Sequence, residues 1–587
     1  MKQFFKFMFA SFFGVVLAGI VFLVATFGII SIIIASADTA PQINDNSVLV
    51  ITLDKPIYDR EVEDFSAMIG TSESFEASKS IGLSEFISVI NKAKNDPKIK
   101  AIMLDLSVLQ TNGWATIEEM RQALLEFKKS NKKIYAFSDT YSQNAYYLAS
   151  VSDEIYMNPV GHLQLTGLGG EVMFIKDLLT KYDIQVDLLR PANNNYKSAG
   201  EMFVNSKMSE ANREQVRTYI NSIWGYVAAN ISESRKIDLA SLNNNVSNLE
   251  TFMAEDALKN KYIDKLAFRT DLEDKIKKDI GSKKVNWLKY QKYRSSIEDI
   301  FPKGKDKIAV IYAYGSVGQG KGSDLTIGSE SIVKEIRKAV EDSRVKAIVL
   351  RINSGGGDAI ASEQMTNEIF NAKKVKPVIV SMGDVAASAG YEMACGATKI
   401  VAMPVTITGS IGVFGVIPNF GNALKKNLGI SFDTVTTHKN STFLTVTTQM
   451  TPGTRAVMQK SIDAFYNNFI TRVATGRNLN KNFVDSIARG RVWSGTDAKR
   501  LGLVDEFGGL AKAIEIAAKE AKVKDYGLLL MPKTKDLSQQ ILEAIGGDVE
   551  MKLYTKELGR PYSFFLELKD ISEMKGVQAR IPYIINF

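Results

Sequence analysis

The stretch "VSMGDVAASAGYEMACG", Val380 to Gly396, surrounds one hydroxyl, Ser388, with alanine and glycine. It reads as an apolar strand, a turn at Met382-Gly383-Asp384 and a run of small residues. Small neighbours let another backbone approach a serine closely, as acyl transfer to a nucleophile requires. Taken alone, the run also suits a helix packed tightly on a sheet with Ser388 at its cap. A second stretch, "INSGGGDAIAS", follows the apolar "AIVLRI". Gly355, Gly356 and Gly357 free its backbone to aim N–H groups at a ligand. An oxyanion hole built from both loops would take its donors from the Gly356 and Ala389 N–H groups.

A serine nucleophile needs a base, and the 587 residues include only two histidines. His162 lies in "NPVGHLQLTG" with no acid partner in view, and His438 stands beside Lys439. Lysine is the remaining common candidate. Lys197, in "NNNYKSAGEMF", stands between a polar run and small, apolar residues. Keeping an amine neutral near pH 7 requires roughly 4–5 kcal/mol against its charged form. Burial supplies that.

Other chemistries find little support. The single cysteine, Cys395, allows no disulfide framework and no thiolate metal site, and its small neighbours mark a packed core position. Motifs such as HExxH are absent, so neither a metal nor a cofactor is expected. "GSVGQGKG", Gly315–Gly322, nearly fits a phosphate-binding loop. It ends in glycine where a hydroxyl is required, and no apolar helix follows. A net charge of +8 comes with no nucleic-acid motif. A basic surface facing anionic lipid is the better reading.

The elements that must position these residues come in duplicate. "KAIMLDLSVLQTNGWATIEEMRQALLEFKKSNKKIYAFSD" from Lys100 parallels "KAIVLRINSGGGDAIASEQMTNEIFNAKKVKPVIVSMGD" from Lys346. "YSQNAYYLASVSDEIYMNPVGHLQLTG" then matches "AASAGYEMACGATKIVAMPVTITGSIG", and "AEDALKNKYIDKL" matches "SGTDAKRLGLVDEF". The spacing stays at roughly 241 to 246 residues, too long for a solenoid repeat. Strands alternating with helices imply two α/β domains. Ser388 aligns with Gln143, and "NSGGGD" aligns with "SVLQTN". Only the second half therefore carries the serine and the glycines.

Before the halves, Lys2 and Lys6 precede an apolar run with no charge until Asp38. That run exceeds a signal-peptide core and suffices for a bilayer of ~30 Å. The lysines place residues 1–6 in the cytoplasm, with a transmembrane anchor at 7–36. The expected order continues with an α/β repeat at 45–280 carrying the base and a linker at 281–305. A repeat at 306–530 carrying the nucleophile and a segment at 531–587 complete it.

The pieces "YKSAGEMF", "RINSGGGDAIASE", "VSMGDVAASAGYEMA", "TGSIGVFG" and "GRVWSGTDAKRLGLVDEFGG" occur in this order. In this the chain resembles the long, duplicated form of the signal peptide peptidase A, or protease IV, family, over nearly everything after the apolar run. The resemblance implies two tandem domains of the Clp protease–crotonase type. It implies a Ser–Lys dyad of Ser388 and Lys197 assembled between the halves, with Ser410 orienting the amine. It further implies a homotetramer anchored in the cell inner membrane, with its catalytic domains on the periplasmic side. The substrates would be hydrophobic peptides, remnants of signal peptides. Lys439, at the repeat spacing from Lys197, is the rival base, and the "YKSA" motif favours Lys197. Gly355 replaces a frequent family proline and Ala389 a glycine, and neither change removes an N–H donor. The alternatives are a crotonase-like lyase or hydratase acting on acyl-thioesters and a catalytically silent peptide-binding membrane scaffold. Extracytoplasmic placement and the presence of both Ser388 and Lys197 argue against them.

Overall fold

A computed structural model describes residues 3, 4, 6–19, 21, 43–62, 80–110, 113–533 and 577–580. Its centre is two mostly parallel sheets, one from each half of the chain. The first runs in the order Lys265–Leu266, Glu154–Met157, Lys133–Ser138, Ile99–Leu109, Ser47–Leu53, Asn286–Lys289. The second runs Val492–Ser494, Ile407–Gly409, Val378–Ala387, Val345–Ser354, Asp306–Tyr314, Tyr526–Met531, with Lys399–Ala402 beside Val378–Ala387. The two orders correspond strand for strand across much of their length, as the duplication predicts.

The central strands are apolar almost without break because both faces are covered. In Val345–Ser354, Ile348, Leu350 and Ile352 join one buried cluster, while Ala347 and Val349 join another on the opposite face. Ile99–Leu109 repeats this, with Ile102, Leu104 and Leu106 on one side and Ala101 and Met103 on the other. Side chains two apart share a face, so each sheet separates two cores.

Two expectations need correction. The stretch 281–305 is more than a joining segment, because Asn286–Lys289 pairs in parallel with Ser47–Leu53. Trp287 packs into one core of the first half and Leu288 into the other, an alternation too short to stand out in sequence. Met382-Gly383-Asp384 is not a turn but lies inside the strand Val378–Ala387. A register shift there leaves Val385 N–H donating to Asn353 Oδ1 at 3.2 Å.

Of the anchor expected at 7–36, residues 7–19 and 21 are described and helical, and the remainder lies outside the described residues. Among the described residues no helix is long and apolar enough to cross a membrane. Of 531–587, only 531–533 and 577–580 are described.

The halves interlock through buried polar groups. The helix Trp114–Lys128 has glycine at its N-cap and no side-chain cap of its own. Asp384, from the second half, supplies one: its carboxylate accepts from Thr116 N–H at 2.8 Å and from Thr116 Oγ1 at 2.6 Å. Arg351 is fully buried and pairs with Asp59 and Glu119 of the first half, each at 2.8 Å. Removing one member of such a group leaves a charge stranded, at about 3–5 kcal/mol. A two-stranded antiparallel sheet adds a third link, with Gln185–Leu189 against Gly415–Asn419. Lys197 lies just beyond the first of these strands, held against the second half.

Candidate active site

Ser388 is the one residue between the strand ending at Ala387 and the helix Ala389–Cys395. Its φ of 56° and ψ of −118° are strained for an L-residue, and strain of this kind gathers at functional sites. Ser388 N–H donates to Gly409 O at 2.8 Å, which pins the turn. The flanking alanines and glycine are buried, so the small residues noted in sequence are there because the turn has no room for larger ones.

Lys197 Nζ lies 2.6 Å from Ser388 Oγ. It also lies 3.0 Å from both Ser410 O and Ser410 Oγ. Lys197, Ser388 and Ser410 are at most 1% exposed. Burial holds the Lys197 amine well below its ordinary pKa, and the nearby Glu392 carboxyl opposes that shift. A neutral amine has two N–H donors and one lone pair. The two contacts to Ser410 use the donors, which leaves the lone pair for the Ser388 hydroxyl proton.

Three segments hold the amine in place. Arg190 donates to Lys197 O at 3.2 Å, and Tyr196 N–H donates to Arg489 O at 3.1 Å. Gly490 adopts φ +80°, and a Cβ there would sit 2.5 Å from Lys197 Cβ. The same segment reaches the Ser410 loop: Gly490 N–H donates to Ile411 O at 2.8 Å and Ser410 N–H to Arg491 O at 2.7 Å. Gly490 and Arg491 fall in "GRVWSG", a motif legible in sequence whose role was not.

The expected oxyanion donors are arranged differently from each other. Ala389 opens its helix, where an N–H has no intrahelical carbonyl to meet. Gly356 N–H instead donates to Ser354 Oγ at 3.1 Å, so the Ser354 hydroxyl engages this donor. Ser354 stands in the quoted "NSGGGD", and nothing in that pattern set it apart. Gly356 needs its glycine, since φ is +105° and a Cβ would overlap Ala579 O. Gly357 pairs with Val317, so the near-fit to a phosphate loop forms the strand Ser316–Gly318 that supports the glycine loop.

Glu392, one helical turn after Ser388, is a further buried group that sequence reading passed over. Burial pushes its carboxyl up to about 8, opposed by a short contact from the Ser362 hydroxyl. The remaining candidates make no contact with Ser388 or Lys197 among those described. His162 stacks on Phe252 at 4.9 Å, while His438 and Lys439 are exposed. Cys395 is buried, and its thiol is pushed above the ordinary range by that burial. Among the described residues no cluster of His, Cys, Asp and Glu could hold a metal ion.

Comparison with known proteins gives this arrangement a context. The sequence profile of peptidase family S49 matches residues 126–283 and again 371–524, one segment in each half. Protease 4 of Salmonella typhi is 34% identical over 80% of this chain and 77% of its own. The chloroplastic serine protease SPPA of Arabidopsis thaliana is 31% identical over 93% of this chain and 79% of its own. Among solved structures, a mutant ClpP1 from Listeria monocytogenes is 17% identical with a TM-score of 0.24, covering 35% of this chain and 94% of that one.

Proposed function

We propose that this chain, which belongs to peptidase family S49 and is a serine-type protease, cleaves peptides with a Ser388–Lys197 dyad. The observation that carries this reading is the 2.6 Å contact between Lys197 Nζ and Ser388 Oγ, 191 residues apart in sequence and both buried. Burial disfavours the charged form of the amine, and Ser410 O and Oγ accept from its N–H groups. Ser388 Oγ then attacks the peptide carbonyl carbon while its proton passes to Lys197 Nζ. The Ala389 N–H receives the developing oxyanion, and Gly356 N–H joins it once it turns from Ser354 Oγ. Lys197 gives its proton to the departing amine, and the C–N bond breaks to leave an acyl-Ser388 ester. Water attacks that ester, again losing its proton to Lys197, and the acid product leaves.

In this reading the substrate is an extended hydrophobic peptide, of the kind left when signal peptides are removed. The apolar run at 7–36 would hold the enzyme at a membrane, with both halves beyond it as tandem Clp protease–crotonase-type domains. Four chains would assemble into a homotetramer. No cofactor is invoked in the chemistry.

The test is hydrolysis of a fluorogenic hydrophobic peptide by the full chain. Ser388→Ala and Lys197→Ala, made singly, are each expected to lower kcat by about 10³-fold or more. Activity surviving in both variants would overturn the dyad.

A further inference from the structure

Lys197 is carried by the first half, while Ser388 and Ser410, which its amine meets, belong to the second. The separation of amine and hydroxyl therefore depends on how firmly two segments are tied, 196–198 and 489–493. Two side chains tie them. Gln215, on the helix Glu210–Arg235, is buried. Its Nε2 donates to Tyr196 O at 2.9 Å and to Ser198 Oγ at 3.0 Å, one residue on either side of Lys197. Its Oε1 accepts from Val492 N–H of the second half at 3.1 Å.

Arg491 is the other, and it acts from the surface. Its guanidinium carbon lies 4.7 Å from the centre of the Tyr196 ring and 4.4 Å from that of the Trp493 ring. A guanidinium stacks favourably on aromatic faces because it is planar as well as charged. Arg491 also pairs with Glu214 at 2.9 Å and donates to Tyr196 Oη at 3.2 Å, while Tyr196 Oη donates to Glu214 Oε2 at 3.0 Å. The Arg491 and Glu214 side chains are 19% and 53% exposed, whereas Lys197, next to Tyr196, has no exposure. The backbone of Arg491 reaches the other side of the site. Its carbonyl accepts from Ser410 N–H at 2.7 Å, and Ser410 O and Oγ accept from the amine.

We infer that Arg491 is a positioning residue: stacked on Tyr196 and bonded to the Ser410 loop, it locks the lysine-bearing segment to the serine-bearing half and keeps water from the amine. This rests on the dyad reading. The charges around Lys197 leave the role to shape. The Glu392 carboxyl acts on the amine directly. Each neighbouring arginine has a carboxylate of its own: Arg190 lies 3.7 Å from Glu201, Arg489 3.5 Å from Asp485 and Arg491 2.9 Å from Glu214. Removing Arg491 admits water and leaves the Glu214 carboxylate without this partner, and both changes favour protonated Lys197.

The experiment follows kcat and KM for the fluorogenic peptide against pH, using the full chain. Arg491→Ala should lower kcat by about 10²-fold with KM within about twofold. The pH at which kcat/KM reaches half its plateau should rise by about one unit as the amine regains water. Activity should therefore recover in part at high pH, which a protein merely damaged in folding would not do. Arg491→Lys keeps a charge opposite Glu214 and loses the planar stack, so it should move the midpoint in the same direction by less. Tyr196→Ala should resemble Arg491→Ala, and the double variant should fall no more than about threefold below either, since both remove one stack. A midpoint unmoved in Arg491→Lys would overturn the inference, as would losses that multiply in the double variant. Lys197→Ala separates the two readings. A chain still active without Lys197 sinks the dyad, whereas one inactive without it and unmoved by Arg491→Lys sinks only the role of Arg491.

Discussion

The two halves place different side chains at one position of one scaffold. In the second, a strand ends at Ala387, Ser388 makes the turn and a helix begins at Ala389. In the first, the strand Lys133–Ser138 leads to Ser142, which caps the helix Gln143–Ala149. Gly409 and Gly167 follow in their loops at φ +75° and +78°. Ser388 reaches its glycine through the backbone and leaves its hydroxyl to the amine. Gln143 reaches its glycine through the side chain: Oε1 accepts from Gly167 N–H at 2.9 Å, and Nε2 donates to Gly167 O at 3.2 Å. The amide spends its side chain on the loop, whereas the side chain of the serine faces the Lys197 amine. The lysines diverge in parallel, Lys197 buried against Ser388 and its counterpart Lys439 exposed. One frame thus bonds its own loop in one half and presents a hydroxyl to a buried amine in the other, according to which polar atoms are satisfied locally.

The sharpest way to break this comparison is to exchange the lysines' fates. Lys197→Ala should abolish peptide hydrolysis by about 10³-fold or more, while Lys439→Ala should leave kcat/KM within about twofold. The reverse pattern would move the base to the second half. Lys197→Met adds a stability readout. The folded state holds Lys197 below its unfolded value of ~10.4, so between the two values only the unfolded chain carries the proton, and stability of the parent rises with pH there. The methionine variant should have a higher Tm than the parent. That gain should shrink as pH climbs toward ~10.4 and persist below the folded value.

Gly490→Ala comes next. Its Cβ would meet Lys197, and its φ is positive, so about 1–3 kcal/mol of strain is expected. A displacement of the amine by about 1 Å would lower kcat by about 10²-fold with KM little changed. An unchanged kcat would show that the amine is held by its burial and not by this contact.

Gln143→Ser tests the first half. In a Ser388→Ala background it should generate no hydrolysis and no labelling by a serine-directed fluorophosphonate, because among the described residues Gln143 bonds only Thr166 and Gly167, and its half has "SVLQTN" where the other has "NSGGGD". Chemical denaturation should show about 1 kcal/mol lost with the Gly167 bonds. Labelling of the introduced hydroxyl would mean the half is closer to a working site than its geometry implies.

The smallest effect concerns Glu392. Below about pH 8 its carboxyl is neutral, so Glu392→Gln should leave the rate almost unaltered. Above that pH the parent gains a negative charge that favours protonated Lys197. The variant's rate should therefore reach its plateau at slightly lower pH, as a profile of kcat/KM against pH would reveal.

Sequence revealed the second half's chemistry because the first half served as its control. Ser388 against Gln143 and the glycines against "SVLQTN" were visible as differences at fixed spacing. Parallel strands announced themselves as apolar runs between helices. What escaped depended on distant segments meeting. Gly490 matters for its contact with Lys197, Asp384 for capping a helix of the other half, and Ser354 for engaging Gly356 N–H. None has a local pattern that declares its partner. Asn286–Lys289 escaped for another reason: four residues give too little alternation to mark a strand.

The placement of Lys197 also sets a timetable. Gly490, which closes over the lysine, is made roughly 290 residues after it, and a ribosome adding about 5–20 residues per second needs some 15–60 seconds for that stretch. For about the first two-thirds of this interval the amine lacks its serine, and throughout it the amine lacks the glycine that closes over it. With the proposed dyad, a growing chain holds no complete site until its second half is nearly made, so the order of synthesis itself delays activity.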